Sequence, residues 1–130
     1  MKPNCEWGRH PHLDEKELNL WVQATRLVEM LPDDPEGKLR CHELSRAIGQ
    51  ILNLPVQDGE YGIGCEHSWL WTPMGNILDV HSICRLPQVQ LVHTHYPTAE
   101  QGRLYRGGPP RTDINQFTVD NLVSLMNISF

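Results

Sequence analysis

The sequence predicts an α+β domain in which N-terminal helices pack on a small antiparallel sheet. Two apolar stripes at helical spacing come first, between about residues 14 and 52. Short alternating segments bounded by glycine and proline follow, and a last helical stripe closes the chain. Helices and strands that segregate in this way build an α+β fold and not a doubly wound parallel sheet. With 130 residues, 39% of them hydrophobic, the chain has material for one core, so 1–130 reads as a single domain.

Asp14 is placed to cap a first helix running to about Leu31, with Leu18, Trp21, Val22, Leu27, Val28 and Leu31 on one broad face. Pro32, Pro35 and Gly37 end it, because proline removes a backbone donor and crowds the preceding turn. A second helix spans about Cys41 to Leu52. Its residues Leu44, Ala47, Ile48, Ile51 and Leu52 recur at i, i+3, i+4, i+7 and i+8, and Pro55 closes it. Strands are expected at about 55–62, 66–72, 76–82 and 87–94. Gly59, Gly62 and Gly64 divide the first two, and Pro73-Met74-Gly75-Asn76 turns the second into the third. The Gly-, Pro- and Arg-rich segment 97–111 reads as a surface loop. The stretch 113–127, with Phe117, Val119, Leu122, Val123 and Met126, reads as an amphipathic closing helix.

The formal net charge is −5 and no Lys/Arg stripe stands out, which argues against a nucleic-acid partner. No apolar run approaches the roughly 18 residues of a membrane span. Residues 1–12 are polar and lack the apolar centre of a secretion signal, so a cytoplasmic location is expected. The four cysteines, Cys5, Cys41, Cys65 and Cys84, form no CxxC pair and are expected as free thiols, ligands or a nucleophile. No motif calls for a cofactor.

Cys41 opens the second helix, where unpaired N–H groups and the helix dipole favour a thiolate. On the expected strands, His67 shares a face with Trp69 and Trp71, and Asp79 shares a face with Ile77 and His81. A hairpin that sets these faces side by side lets Asp79 orient His67 while the other ring nitrogen takes the Cys41 proton. A one-residue slip would turn Asp79 to the opposite face, so the pairing demands an odd-length connection around Pro73 and Met74. An aspartate within Ile77-Leu78-Asp79-Val80 itself asks for a partner, because an unpaired buried carboxylate is costly.

The segments Cys41-His42-Glu43-Leu44-Ser45-Arg46-Ala47, Glu66-His67-Ser68-Trp69-Leu70-Trp71 and Ile77-Leu78-Asp79-Val80 resemble the core of the transglutaminase-like and papain-like cysteine enzymes. That superfamily starts a helix with its cysteine, puts its histidine in an H-x-W pattern and carries its aspartate on the next strand, in the same order. The resemblance covers about residues 39–82, and the usual Gly-x-Cys lead-in is replaced by Lys38-Leu39-Arg40. It implies a thioester on Cys41, His67 as base, Asp79 as orienter, and a protein or peptide amide as substrate. It implies no cofactor. The Cys41 backbone N–H and the Gln57 side chain are candidate oxyanion donors, and Trp69 and Tyr61 are candidates for the substrate cleft.

Two other readings compete. Cys65-x-His67, His93-x-His95 and the Cys5, His10, His12 group pair metal-ligating side chains, although none has zinc-finger or H-E-x-x-H spacing. A non-catalytic binding module would use the same tryptophans as core or recognition surface.

Overall fold

The computed structural model describes residues 14–34, 36–81, 89–92, 94 and 101–127. Helix α1, Glu15–Glu29, begins at Asp14, whose carboxylate accepts from the backbone N–H groups of Lys16 and Glu17 at 2.8 and 3.2 Å. It buries Trp21, Ala24 and Leu27, and the Trp21 indole N–H donates to the Val89 carbonyl at 2.7 Å. Helix α2, Cys41–Leu52, starts and stops where its spacing predicts. Asn53 takes the left-handed conformation at φ 57°, and Leu54 N–H closes on Gly49 O at 2.8 Å. Gly49 lets α2 lie close to the sheet: a Cβ there would sit 2.8 Å from both Leu54 O and the Leu70 side chain.

Five strands follow: β1 Val56–Tyr61, β2 Cys65–Trp71, β3 Ile77–Asp79, β4 Gln90–Val92 and β5 Tyr105–Gly107. A 3₁₀ turn, Gln101–Leu104, leads into β5, and helix α3, Gln116–Asn127, ends the described chain. The sheet runs in the order β4-β3-β2-β1-β5 with every neighbour antiparallel. The α+β class is therefore as expected, and no helix is long and apolar enough to cross a membrane among the described residues.

Period-2 alternation gives the sheet two unlike faces. Leu70, Leu78, Val80, Val89 and Leu91 meet Trp21 and Leu27 of α1, Leu44 and Ile48 of α2, and Val119, Leu122 and Met126 of α3 in the main core. On the other face Trp69, Ile77 and Val92 form a second cluster, with Trp71 and Tyr105 packed against it.

The structure corrects the sequence reading at several places. Segment 97–111 is not simply a surface loop. Its residues 101–107 form the 3₁₀ turn and β5, which pairs with the edge of β1 as Gly59↔Gly107, Glu60↔Arg106 and Tyr61↔Tyr105. The approach is close enough that a Cβ on Gly59 would lie 2.0 Å from Arg106 O. Among the described residues the third and fourth strands span Ile77–Asp79 and Gln90–Val92, with Asn76, Val80, His81, Val89 and Thr94 outside them. α3 starts at Gln116 rather than 113, because the Asn115 side chain caps it by accepting from Thr118 N–H at 3.1 Å.

Candidate active site

The connection Thr72–Asn76 is held from behind by a buried carboxylate. Glu17 of α1, 1% exposed, accepts from the Thr72 hydroxyl and, at 3.1 Å, from the Asn76 amide. This five-residue connection fixes the β2–β3 register as Leu70↔Leu78 and Trp71↔Ile77. Continued along the strands, the register sets Asp79 opposite Trp69 and diagonal to His67 on one face, as an odd connection requires.

The His67 ring and the Asp79 carboxylate meet there. Nε2 of His67 lies 2.8 Å from Oδ2 of Asp79, and both side chains are 1% exposed. Asp79 has two further donors: the Tyr105 hydroxyl reaches the same Oδ2 at 2.6 Å, and the His81 backbone N–H reaches Oδ1 at 3.2 Å. The carboxylate is thus anchored from β2, from β5 and from its own strand end. Tyr61 stacks edge-on against Tyr105 at 4.9 Å and lies 6.4 Å from the His67 ring, walling the pair on the β1 side.

Cys41 is the first residue of α2, and its free thiol is half-buried. α2 packs on the Leu70 face and His67 projects from the other, yet Cys41 lies near enough to act on the His67 ring. Cys41 sits at the helix end, and His67 lies at the end of β2 that the β2–β3 ladder does not reach. Burial by itself would lower the His67 pKa. The hydrogen bonds and charges of Asp79 and then Cys41 outweigh it and raise the ring from 6.5 to about 9. At neutral pH the imidazole therefore holds a proton.

A second histidine touches the same sulfur. Nδ1 of His42 lies 3.6 Å from Sγ of Cys41 and 2.7 Å from the Ser68 hydroxyl. Ser68 donates to Asp58 at 2.6 Å, and Asp58 is gripped by the Arg46 guanidinium at 3.0 and 2.6 Å. Neither this chain nor Tyr105 was foreseen from the sequence. Asp58 and Ser68 face each other across the β1–β2 ladder, and i, i+4 spacing sets Arg46 over His42, but no motif joins the four residues.

The other predicted site residues fall out differently. Trp69 does not line a cleft: it is 0% exposed, closed in by Trp71 and Tyr105, and its indole N–H has no hydrogen-bond partner. Gln57 is not free as an oxyanion donor. Its amide N–H groups point at the carbonyls of Asp58 and Gly108, at 2.7 and 3.3 Å, and its Oε1 accepts from Trp71. The backbone start of α2 fares better, since its cap residue Arg40 supplies no side-chain hydrogen bond to it. Arg40 instead pairs with Glu43 and, at 3.2 Å, with Asp113.

Among the described residues, no group of three or more His, Cys, Asp or Glu side chains is arranged to hold a metal ion. His93, His95, Cys84 and the Cys5, His10, His12 group lie outside the described residues. A cleft of about 780 Å³ lies between Asp58, Glu66, Arg106, Arg111 and Asp113, and Cys41, His67 and Asp79 are not among its walls. Comparison with family models, with curated proteins and with solved structures finds no match to this chain.

Proposed function

We propose that this chain is a thiol-dependent acyl-transfer enzyme with Cys41 as nucleophile, His67 as acid–base group and Asp79 as its orienter. The observation that carries this reading is the buried His67–Asp79 pair at 2.8 Å behind a half-exposed thiol at the first position of a helix. A partly exposed cysteine backed by a fully enclosed base is the arrangement nucleophilic catalysis needs.

The Cys41 sulfur attacks a substrate carbonyl, and the carbonyl oxygen gains the negative charge. The N–H groups at the start of α2, which receive no side-chain cap from Arg40, are the candidate donors for that charge. His67 then gives its proton to the leaving amine, the carbon–nitrogen bond breaks and a Cys41 thioester remains. Water or an incoming amine attacks the thioester and gives its proton to His67, the carbon–sulfur bond breaks, and the Cys41 thiolate is restored beside a protonated His67. Peptide or glutamine-type amides are the substrate class, in keeping with the resemblance to transglutaminase-like enzymes.

The test is selective alkylation. With brief iodoacetamide treatment near pH 6, peptide mapping should show Cys41 labelled ahead of Cys5, Cys65 and Cys84. Equal or slower labelling of Cys41 would make it a structural thiol and end the proposal.

A further inference from the structure

The His67–Asp79 pair leaves one buried imidazole beside the sulfur unexplained. His42 is 6% exposed, and the groups around it come from three directions: Arg40 and Glu43 at the start of α2, Asp58 and Ser68 from the sheet, and Arg111. Burial lowers its pKa, and the Arg111 and Arg40 charges act the same way against Glu43 and Asp58. The ring is neutral in neutral solution, so one of its two nitrogens carries a hydrogen and the other a lone pair.

The hydrogen-bond chain decides which. Asp58 is ionised, its pKa held at about 2: burial works against this, but Arg46, Ser68 and the Arg111 backbone N–H together prevail. A carboxylate only accepts, so the Ser68 hydroxyl must donate its one hydrogen to Asp58 at 2.6 Å. The oxygen of Ser68 is then an acceptor for His42 at 2.7 Å, which puts the His42 hydrogen on Nδ1. The same Nδ1 faces the Cys41 sulfur at 3.6 Å. That hydrogen goes to Ser68, and the Cys41 sulfur takes the weaker share of it, so the ring is locked against the sulfur by Arg46, Asp58 and Ser68 as His67 is oriented by Asp79.

We propose that His42 is a positioning residue for the nucleophile, whose Nδ1–H, donated to Ser68 and shared with the Cys41 sulfur, holds that sulfur in the rotamer that faces His67. The inference rests on Cys41 being the nucleophile. It adds to the site a second, neutral imidazole with a task distinct from proton transfer.

Three substitutions separate this from a packing role. Asparagine carries an amide N–H where the His42 Nδ1 stands, glutamine carries it one atom further out near Nε2, and phenylalanine fills the space without a donor. The full chain and its variants are alkylated with iodoacetamide at pH 6 to 8, with circular dichroism melting as the check on folding. His42→Asn should keep the Cys41 rate within about threefold of the parent, whereas His42→Gln and His42→Phe should lose about tenfold or more. If His42→Phe does not fold, the comparison of His42→Gln with His42→Asn serves instead, since both are polar and only the asparagine places an N–H at the Nδ1 position. Parent-like rates in His42→Phe or His42→Gln, or equal losses in all the His42 variants, overturn the inference. An unreactive Cys41 in the parent chain overturns the enzyme reading itself, so the two failures cannot be confused.

Discussion

Asp79→Asn keeps the shape of the buried pair and removes its charge. In the parent, Oδ2 of Asp79 accepts from both His67 and Tyr105, at 2.8 and 2.6 Å. An asparagine offers one oxygen and one NH₂ group in place of two acceptor oxygens, so it must either point a donor at a donor or force His67 into the other tautomer. The His67 ring, raised from 6.5 to about 9, loses its strongest upward influence while burial, the largest influence of all, remains. Its pKa should fall to its ordinary value or below. The rise it forfeits corresponds to roughly 300-fold in proton affinity, or about 3 kcal/mol at 1.36 kcal/mol per unit. Breaking a buried pair from one side costs a similar amount of stability, about 3–5 kcal/mol. The assay has two arms. Histidine-selective NMR follows the His67 titration, and iodoacetamide labelling at pH 6 to 7 follows Cys41. The variant should show the His67 midpoint at least two units lower and Cys41 alkylation at least about tenfold slower. A His67 midpoint still near the parent's, or unchanged Cys41 labelling in a folded variant, would refute the assignment of Asp79 as orienter.

Two further outcomes follow from the same contacts. Gly59→Ala should displace β5, because the new Cβ would meet Arg106 O at 2.0 Å. It should destabilise the fold by about 2 kcal/mol or more and withdraw Tyr105 from Asp79, read by urea unfolding and tyrosine fluorescence; an unaltered midpoint would show that the strand pair yields without cost. Stability should also depend on pH in a signed way. His67 has a folded pKa of about 9 above its ordinary 6.5, so its contribution is complete below 6.5 and fades as pH rises through 9. Asp58, depressed from 3.8 to about 2, contributes above 3.8 and loses that contribution as pH falls through 2. His42, whose pKa burial lowers from 6.5, works the other way and loses its contribution as pH falls below 6.5, so urea midpoints should be highest near pH 6.5 and decline toward pH 9; a midpoint that rises from pH 6.5 to 9 would contradict the His67 assignment.

The sequence by itself determined the parts of this protein that depend on local periodicity. The spacing of Leu44, Ala47, Ile48, Ile51 and Leu52, closed by Pro55, defines α2 and so puts Cys41 at a helix start. Strand alternation puts His67 and Asp79 on one face once the connection between them is odd, and the observed 2.8 Å contact follows from that parity. The tertiary structure decided what periodicity does not encode: what covers each face and which distant segments meet. Tyr105 lies in a Gly-, Pro- and Arg-rich stretch whose composition suggests a loop, and it becomes a strand only because β1 offers an unpaired edge. Trp69 reads equally well as cleft wall or core, and only the packing of Trp71 and Tyr105 around it makes it core. Arg46, Asp58, Ser68 and His42 each look like ordinary surface polar residues. They become a single oriented chain only when α2 is laid across β1 and β2, because desolvation leaves each of them needing the next.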